Sequence, residues 1–300
     1  MASCCVKECN KMNTNKGKNN FVVCLSHDVD RTFKSFQFIS HFLSNFNKQK
    51  YKSAFYQLKS LFVKNHYWGF DKIIAIEESC GVKSTFFFLN ESYPFNLIDF
   101  SSWKLSLGYY SIFDDAIKKV IKKLDSGGWE IGVHGSYNSY RDIELLKKEK
   151  RDIESILGHE VKGIRQHFLN LNEDTWLLQK EAGFIYDASY GFTDDIGFKN
   201  DHYYLFALDN NNDFFIIPLA IMDTCLMGKS DPLARAISLI ELAEKENGCL
   251  VLNWHQRMFC EREFPGYAQL YIDIIEECQK RDARFLTIGE YVCEHRTKAV

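Results

Sequence analysis

The stretch FVVCLSHDVDR, residues 21–31, begins with an apolar run and then carries three ionisable side chains within four positions, His27, Asp28 and Asp30. The run is typical of a strand that is buried on both faces, as in a parallel sheet. Asp28 and Asp30 are two positions apart, so their carboxylates point to the same side of such a strand and repel each other unless a cation or a shared proton lies between them. The stretch therefore predicts a buried strand that ends in a cation-binding or proton-sharing site.

Similar short apolar runs recur along the chain. We predict about eight buried strands, at residues 21–25, 84–89, 129–133, 161–164, 184–186, 214–217, 249–253 and 284–286. Helical patterns separate several of them, and some of these end at glycines, as helices commonly do. A strand followed by a helix, repeated, implies parallel strands joined by right-handed crossovers. The sequence thus predicts an α/β fold, in which one barrel-like domain spans residues 21–300 after a disordered or flexible tail, residues 1–20.

Three segments depart from this alternation. Residues 32–70 are a long aromatic-rich insertion after the first strand, which we expect to be helical, and residues 91–112 are a loop. Either segment could cover a site. The polar DNNND segment, residues 209–213, predicts a tight turn between two antiparallel strands.

Composition narrows the classes of function. The 300 residues carry 37 basic and 40 acidic side chains, a net charge of −3, so the chain as a whole lacks the basic field expected of a protein that binds nucleic acid or an anionic membrane. No apolar run approaches the roughly 20 residues of a transmembrane helix. The polar start of the chain contains no apolar signal-peptide core. We therefore expect a cytoplasmic protein without a transmembrane segment.

The chain contains ten cysteines, which we expect to be reduced thiols, as is usual in an intracellular protein. Cys4, Cys5 and Cys9 form one cluster, but no second Cys or His pair at zinc-finger spacing accompanies it. A structural zinc ion at this cluster is a minor alternative to a tail without a metal.

Ionisable side chains collect at one end of the predicted strands. In a parallel β/α barrel, the loops at the carboxyl ends of the strands converge on one mouth, where functional groups gather. Six of the predicted strands end in such residues, which besides Asp28 and Asp30 are His134, Arg165, His167, Asp187, Asp223 and His255. Solvation of scattered surface charges would not favour one end of the barrel. The sequence therefore predicts a functional site at this mouth.

These residue types suit a metal-assisted amide or ester hydrolase. Asp30 and one or more of the strand-end histidines make a mixed carboxylate and imidazole set, which is typical of Zn²⁺ or another borderline first-row ion. The remaining carboxylate, Asp28, could then act as the base that activates a water, while a histidine on the opposite wall protonates the leaving group. The simpler alternative, in which these acids cap the following helix, needs only one of them.

The strand-end motifs resemble those of the polysaccharide deacetylases of the NodB type, also called carbohydrate esterase family 4. The matching segments are HDVD at residues 27–30, VHGSY at 133–137, Arg165 with Phe168, and LNWH at 252–255, and the resemblance extends from residue 21 to about residue 291. The Asp-x-Asp form of the first motif is similar to that of members associated with synthesis of bacterial surface polysaccharide or lipopolysaccharide. The resemblance implies a distorted (β/α) barrel with about seven parallel strands.

The resemblance also implies an acid and a base for catalysis. Asp28 corresponds to the general base of the family, and Arg165 to the arginine that orients this base. His255 corresponds to the general acid, and Asp187 to the aspartate that tunes the acid. These four residues are the catalytic residues that we expect.

The metal site that the resemblance implies departs from the family pattern at one position. Asp30 and His134 match two ligands of a divalent metal such as Zn²⁺, but the family normally has a second histidine four residues after the first, and here that position is Asn138. Catalytic zinc sites generally use three protein ligands. We therefore predict that His167 completes the set, with Asn138 as the alternative ligand and loss of both metal and catalysis as a third possibility.

The leading function is removal of an acetyl group from an N-acetylated amino sugar of a bacterial surface glycan or of its precursor. Phe168 and Trp254 are the residues expected to contact the carbohydrate, although Trp254 would equally suit core packing. A second enzyme hypothesis is hydrolysis of a non-sugar amide or imide. A hypothesis from another class is a pseudoenzyme that keeps the cleft, binds carbohydrate and has lost turnover.

Overall fold

The computed structural model describes residues 21–34, 37–47, 49, 51–60, 67–93, 96–98, 102, 105 and 108–298, and the predicted tail with its cysteine cluster lies outside these residues. The strands of the described part are β1 Val22–Val29, β2 Ser84–Leu89, β3 Glu130–Gly135, β4 Gly163–Gln166, β5 Tyr186–Gly191, β6 Phe206–Ala207, β7 Phe215–Leu219, β8 Ile221–Met222, β9 Cys249–Asn253 and β10 Arg284–Phe285. Its α-helices are α1 Gln37–Asn47, α2 Tyr51–Ser60, α3 Phe70–Cys80, α4 Asp115–Ser126, α5 Ile143–Leu157, α6 Thr175–Glu181, α7 Asp223–Met227, α8 Pro232–Glu246, α9 Tyr267–Lys280 and α10 Ile288–Lys298.

All of these strands belong to one curled sheet. Its order is β6, β7, β5, β4, β3, β2, β1, β9, β8, and β10 lies beside β1. The pairs are parallel, except that β6 is antiparallel to β7. Only Ala220 separates β7 from β8, so one stretch of chain pairs with β5 at its start and with β9 at its end. This stretch joins the two sides of the curled sheet into a distorted barrel.

The predicted barrel is confirmed, and the strand count differs for a local reason. Taking β7 and β8 as one bent strand, the barrel comprises β1, β2, β3, β4, β5, β7 with β8, and β9, which is the expected count of about seven. The additional strands, β6 and β10, contain only two residues each, and they lie beside β7 and β1. Both were expected from the sequence, β10 as the apolar run at residues 284–286 and β6 as one of the two antiparallel strands around residues 209–213.

The helices that connect the strands each bury one apolar face. In α4, the buried residues Ile117, Val120, Ile121 and Leu124 recur at the spacing of one helix face. In α5, the helix ends at Gly158, whose φ of 82° lies in the left-handed region that favours glycine. Because each such helix returns the chain to the start of a parallel strand, the carboxyl ends of the strands all lie at one end of the barrel.

The predicted departures from the alternation are also present. Helices α1 and α2 lie within the insertion at residues 32–70, which confirms its helical character in the described part. Strands β6 and β7 flank the predicted turn at residues 209–213 and pair as expected. No helix in the described part of the chain is long and apolar enough to cross a membrane.

His27 belongs to the core and not to the barrel mouth. Its Nδ1 lies 2.5 Å from the backbone oxygen of Trp254, and its Nε2 lies 2.8 Å from Oε1 of the fully buried Glu77. Glu77 also accepts hydrogen bonds from Trp129 Nε1 at 2.5 Å and from the Tyr271 hydroxyl at 2.7 Å. Because consecutive side chains of β1 point to opposite sides, this network anchors the strand on the side of His27, while Asp28 faces the other side.

Candidate active site

Four strands of the barrel bring most of the predicted site residues together. Asp28 lies in β1 and Asp30 directly after it, while His134 and Arg165 lie in the neighbouring strands β3 and β4. His167 follows β4, and His255 comes two residues after β9. All six side chains are buried. The parallel arrangement explains the convergence, because the carboxyl ends of adjacent strands meet at one mouth.

Asp30, His134 and His167 form a buried group in which the potential ligand atoms all lie within 4.8 Å of one another. This geometry favours His167, as predicted, over Asn138 as the third ligand. Asn138 is engaged elsewhere, because its Oδ1 accepts a hydrogen bond of 3.0 Å from Nη2 of the exposed Arg141. The described residues therefore contain a set of one carboxylate and two imidazoles that could hold a metal ion.

His134 is held in the orientation and tautomer that ligation requires. Its Nδ1 lies 2.8 Å from the backbone oxygen of Arg165, which can only accept, so Nδ1 carries the proton and donates it. Nε2 then faces Asp30 Oδ1 at 3.2 Å with its lone pair available. Burial alone would lower the pKa of His134, but the carboxylates of Asp28 and Asp30 outweigh it and raise the pKa above its usual value. A proton and a metal ion therefore compete for Nε2.

His167 has a carboxylate near its other ring nitrogen. Its Nε2 lies 4.0 Å from Asp30 Oδ1, and its Nδ1 lies 3.7 Å from Glu91 Oε2. Burial lowers the pKa of His167 and outweighs the opposing effect of Glu91. The neutral ring, which is the form that binds metals, is thereby favoured.

The backbone after His167 is strained. Phe168 and Leu169 have φ angles of 59° and 54°, in the left-handed region that non-glycine residues rarely adopt. This conformation follows β4 directly, and it leaves His167 buried and Phe168 half exposed, with their ring centroids 4.3 Å apart. Phe168 is 55% exposed at the rim, with its ring edge-on to Tyr137 at 5.9 Å between centroids. Its position is compatible with the predicted contact to a substrate.

The two oxygens of Asp30 have different surroundings. Oδ2 forms an ion pair with Nη1 of Arg257, whereas Oδ1 is buried and receives no hydrogen bond while His134 Nε2 is unprotonated. Burial alone would raise the pKa of Asp30, but Arg257 and the surrounding histidines hold it well below its usual value. A buried, ionised oxygen without a donor beside two imidazole nitrogens fits a divalent cation, since Asp30 Oδ1 and the Nε2 atoms of His134 and His167 can each offer a lone pair.

Asp28 is held between two donors. Arg165 Nη1 donates to its Oδ1 at 2.9 Å, and Asn253 Nδ2 donates to its Oδ2 at 2.6 Å. Burial alone would raise the pKa of Asp28, but Arg165, together with His134 and His255, lowers it below its usual value. Asp28 is therefore an ionised carboxylate in a fixed orientation.

Arg165 is itself immobilised, as an orienting residue must be. It is fully buried, its Nε donates to the backbone oxygen of Ala188 at 2.8 Å, and its Nη1 also donates to the Ser26 hydroxyl at 2.8 Å. The guanidinium lies over the ring of Phe87 at 4.5 Å from its centroid. These contacts from three different strands hold Arg165 in place, and Arg165 in turn leaves Asp28 little rotational freedom.

His255 pairs with Asp223, the aspartate that follows β8 and begins α7. Its Nδ1 lies 3.0 Å from both carboxylate oxygens of Asp223, and its backbone N–H donates to Oδ2 at 2.6 Å. Nε2 faces the site and lies 3.7 Å from Asp30 Oδ2. Burial alone would lower the pKa of His255, but Asp223 outweighs it and raises the pKa above its usual value. The arrangement is that of a histidine poised to donate a proton from Nε2.

Asp187, the residue expected to tune the acid, makes different contacts. Its Oδ2 accepts hydrogen bonds from the Ser189 hydroxyl at 2.6 Å and from Gln179 Nε2 at 2.9 Å, and its Oδ1 accepts one from the Ser189 N–H at 2.8 Å. The carboxylate thus fixes the start of β5 against α6, and the acid that contacts His255 is Asp223. The predicted strand at residues 184–186 placed Asp187 at a strand end, whereas the observed β5 begins at Tyr186, so Asp187 lies near the start of the strand and only Asp223 follows one.

Trp254 does not present a ring to a ligand, which corrects its prediction as a substrate contact. The side chain is fully buried and packs against Tyr271 and Tyr267, with ring centroids 5.5 and 6.3 Å apart. Consecutive residues of an extended chain point to opposite sides. Because His255 faces the mouth, its neighbour Trp254 faces the core.

Three residues of the site were missed by sequence analysis: Glu91, Asn253 and Arg257. Glu91 comes two residues after β2, and Asn253 ends β9, so both obey the strand-end rule that identified the others. Glu91 was assigned to a loop, and Asn253 is not ionisable. Arg257 lies in a 3₁₀ turn, Gln256–Phe259, where nothing in the sequence indicates that it reaches Asp30.

Glu149 is a buried carboxyl on α5 beneath the turn that follows β3. It lies 3.3 Å from the Ser136 N–H, and burial raises its pKa to about 8. The folded chain therefore keeps this proton over a range in which the unfolded chain, with an ordinary glutamate pKa, has lost it. The free energy of unfolding should consequently fall by about 1.4 kcal/mol per pH unit between about pH 5 and about pH 8 through this group alone.

We expect Glu149→Gln to remove this slope. The amide is a neutral isostere of the protonated carboxyl, so the variant should match the wild type near the acid end of the range and exceed it near the alkaline end. Urea unfolding at several pH values measures the difference. Glu144→Gln, at an exposed position of the same helix, is the matched control and should leave the slope unchanged. Parallel pH profiles of wild type and Glu149→Gln would contradict the prediction.

Comparison with known proteins identifies similar solved structures. The chain matches no protein-family model and no curated protein. It is similar to a protein of Mycobacterium smegmatis assigned as a polysaccharide deacetylase, with a TM-score of 0.59, 16% identity, and coverage of 96% of this chain and 94% of that one.

Two further solved structures match less well. One is a variant, with restored activity, of a carbohydrate esterase family 4 pseudoenzyme from Bacillus anthracis (TM-score 0.49, 11% identity, 92% of this chain and 69% of that one). The other is a peptidoglycan N-acetylglucosamine deacetylase (TM-score 0.47, 15% identity, 92% and 90%). The order and direction of the strands, together with the likeness to the mycobacterial structure over nearly the full length of both chains, show that this chain has the polysaccharide deacetylase fold.

Proposed function

We propose that this protein is a metal-dependent hydrolase that removes the acetyl group from an N-acetylated amino sugar. The observation that carries the proposal is the buried group of Asp30, His134 and His167, with an ionised Asp28 and a histidine paired with an aspartate beside it. This combination supplies a cation site, a base and an acid around one mouth, which amide hydrolysis requires.

Asp30, His134 and His167 would hold the metal, and their mixed oxygen and nitrogen donors suit Zn²⁺ or another first-row ion. The ion would supply Lewis-acid polarisation of the amide carbonyl and of the attacking water. The hydrogen bond of His134 to the backbone oxygen of Arg165 keeps that ring oriented before the metal arrives, and Glu91 lies 3.7 Å from the other ring nitrogen of His167.

Asp28 would act as the general base. Its depressed pKa keeps it ionised at neutral pH, so the carboxylate is able to take a proton from the attacking water. The contacts to Arg165 and Asn253 fix the direction of the carboxylate and stabilise its charge. A fixed base avoids the reorganisation that a mobile side chain would need in the transition state.

His255 would act as the general acid. Because its Nδ1 is bonded to Asp223, the proton that it transfers to the departing amine is the one on Nε2. Asp223 raises the pKa of His255, which favours the protonated form before transfer, and stabilises the ring in a fixed orientation. We therefore assign to Asp223 the tuning role that the resemblance alone gave to Asp187.

The substrate class rests on the rim of the site and on the fold. The rings of Phe168 and Tyr137 lie next to each other beside the metal site, and a pyranose ring could stack on this aromatic surface. We propose an acetylated amino sugar of a bacterial surface glycan, or its lipid- or nucleotide-linked precursor, processed by a cytoplasmic enzyme.

One observation favours a second candidate, a carbohydrate-binding pseudoenzyme. The guanidinium of Arg257 already neutralises Asp30, so the barrel has an internal counter-ion even without a metal. In that case the cleft would bind its sugar and not turn it over.

Metal content and acetate release test the proposal together. We expect the purified full-length chain to bind one divalent ion, to release acetate from N-acetylglucosamine oligosaccharides or their lipid- or nucleotide-linked forms, and to lose and regain that activity on chelation and metal return. Circular dichroism of the chelated protein controls for unfolding. If the chain binds no stoichiometric ion and no added ion activates it, the hydrolase proposal is wrong and the pseudoenzyme is favoured.

A further inference from the structure

Helices α1 and α2, which we call the insertion hairpin, expose an unusual amount of apolar surface. Of thirteen large hydrophobic side chains that are exposed in the described part of the chain, six belong to these two helices, with exposed fractions between 43% and 67%. They are Ile39, Leu43 and Phe46 in α1 and Tyr51, Phe55 and Leu58 in α2. Scattered apolar residues are normal on a protein surface, whereas a concentration of this kind marks an interaction site.

The exposed residues of each helix share one face. In both helices they follow the spacing i, i+4, i+7, which places them in a narrow stripe. The opposite side of α2 is buried through Ala54, Gln57 and Ser60. The hairpin thus has an inner side that contacts the protein and an apolar outer side that faces away from it.

Polar contacts fix the inner side to the barrel mouth. Gln57 Nε2 in α2 donates to Glu263 Oε2 at 3.2 Å, and His41 Nδ1 in α1 lies 3.7 Å from the same atom. Lys34, which precedes α1, lies 2.6 Å from Glu263 Oε1 through its Nζ. Glu263 lies in the loop after β9, a few residues beyond His255. The hairpin is therefore tied to the same end of the barrel as the candidate site, and the tie leaves its apolar outer side uncovered.

The charge of this segment is opposite to that of the whole chain. Residues 31–66 contain seven basic side chains, Arg31, Lys34, Lys48, Lys50, Lys52, Lys59 and Lys64, and no Asp or Glu, although the chain as a whole has a net charge of −3. Lys52 and Lys59 are exposed on α2 beside the apolar stripe. Apolar stripes flanked by lysines characterise helices that lie in the surface of an anionic bilayer.

We propose that the insertion hairpin docks the protein on an anionic lipid bilayer, with its apolar stripes in the headgroup region and its lysines against the lipid phosphates. The positive charge of the segment complements an anionic bilayer. It does not complement a second copy of the chain, because that contact would bring two lysine-rich segments without acidic residues together. Docking would hold the barrel mouth close to the membrane, where a lipid-linked glycan is presented. The inference concerns location and goes beyond the hydrolase proposal.

Vesicle co-sedimentation of the full-length chain tests the docking. We expect it to bind phosphatidylcholine vesicles that contain phosphatidylglycerol, to bind pure phosphatidylcholine far less, and to dissociate as salt is raised. Lys52→Gln with Lys59→Gln should weaken binding by about fivefold per lysine. Leu43→Ser with Phe55→Ser should weaken it by about tenfold or more per side chain.

Matched variants elsewhere on the surface provide the controls. Leu177→Ser removes an equally exposed leucine from α6, and Lys119→Gln with Lys122→Gln removes two exposed lysines from α4. Both control variants should bind the anionic vesicles as the wild type does. All variants should keep the wild-type thermal transition and hydrolyse a soluble acetylated oligosaccharide at the wild-type rate, which separates docking from the hydrolase proposal.

Two outcomes would overturn the inference. The first is that the wild-type chain does not bind anionic vesicles, or that the control substitutions in α4 and α6 weaken this binding. The second is a dimer, detected by light scattering, that Leu43→Ser with Phe55→Ser dissociates while vesicle binding is absent. That result would assign the apolar stripes to a second copy of the chain.

Discussion

Asp28→Asn should abolish most of the hydrolase activity while leaving the metal site intact. Asparagine has nearly the same shape and keeps an oxygen for Arg165, but it cannot accept a proton from water. General-base catalysis contributes about 10²–10⁴-fold to a rate, so we expect kcat to fall by about that factor with a small change in KM. The steady-state rate of acetate release, measured over a range of substrate concentrations up to saturation, gives both kcat and KM.

Asp30→Asn is the matched control, because it removes the other carboxylate of the same strand end. It should lose the metal as well as the rate, whereas Asp28→Asn should retain one equivalent of metal by elemental analysis. Both substitutions are conservative in volume, and thermal unfolding checks that each variant folds. If Asp28→Asn retains the wild-type kcat, the base is another residue, even if the protein is a hydrolase.

His167→Ala should weaken metal binding by more than about a hundredfold. Removal of a residue that only orients a ligand already costs about 10–100-fold in metal affinity, and His167 would be one of just three protein ligands. Its loss would leave Asp30 and His134. Titration of the chelated protein with Zn²⁺ in competition with a fluorescent chelator measures the dissociation constant without any assay of activity.

Asn138→Ala tests the alternative ligand directly. Because Asn138 Oδ1 contacts Arg141, we expect the metal affinity of this variant to equal that of the wild type within error. The result that contradicts our assignment is the reverse pattern, with tight binding in His167→Ala and weak binding in Asn138→Ala. Equal affinities in all three proteins would show that the ion binds elsewhere.

The fold was predictable because its signals are local. Buried parallel strands read as apolar runs, and amphipathic helices such as α4 repeat their apolar residues at helical spacing. The mouth was predictable for the same reason, since the carboxyl end of each strand is known once the strand is known. Asp28, Asp30, His134 and His255 were all identified by this rule before their contacts were known.

The partners within the mouth were not predictable, because they depend on distances between residues far apart in the chain. Asp187 and Asp223 both followed a predicted strand, yet Asp187 lies near the start of β5 and contacts Ser189, whereas Asp223 follows β8 and contacts His255. Arg257 reaches Asp30 from a 3₁₀ turn that has no strand-end signature.

The sequence by itself determined the barrel and the end at which its ionisable residues collect, and it predicted a cation or a shared proton between two neighbouring acids. Only the tertiary structure decided that His167 joins Asp30 and His134, that Asp223 holds His255, and that Trp254 faces the core. The physical reason is that periodicity fixes the side of a strand on which a residue lies, whereas the curl of the sheet and the backbone turns after the strands fix which residues meet. The left-handed backbone at Phe168, beside the buried His167, is the clearest case.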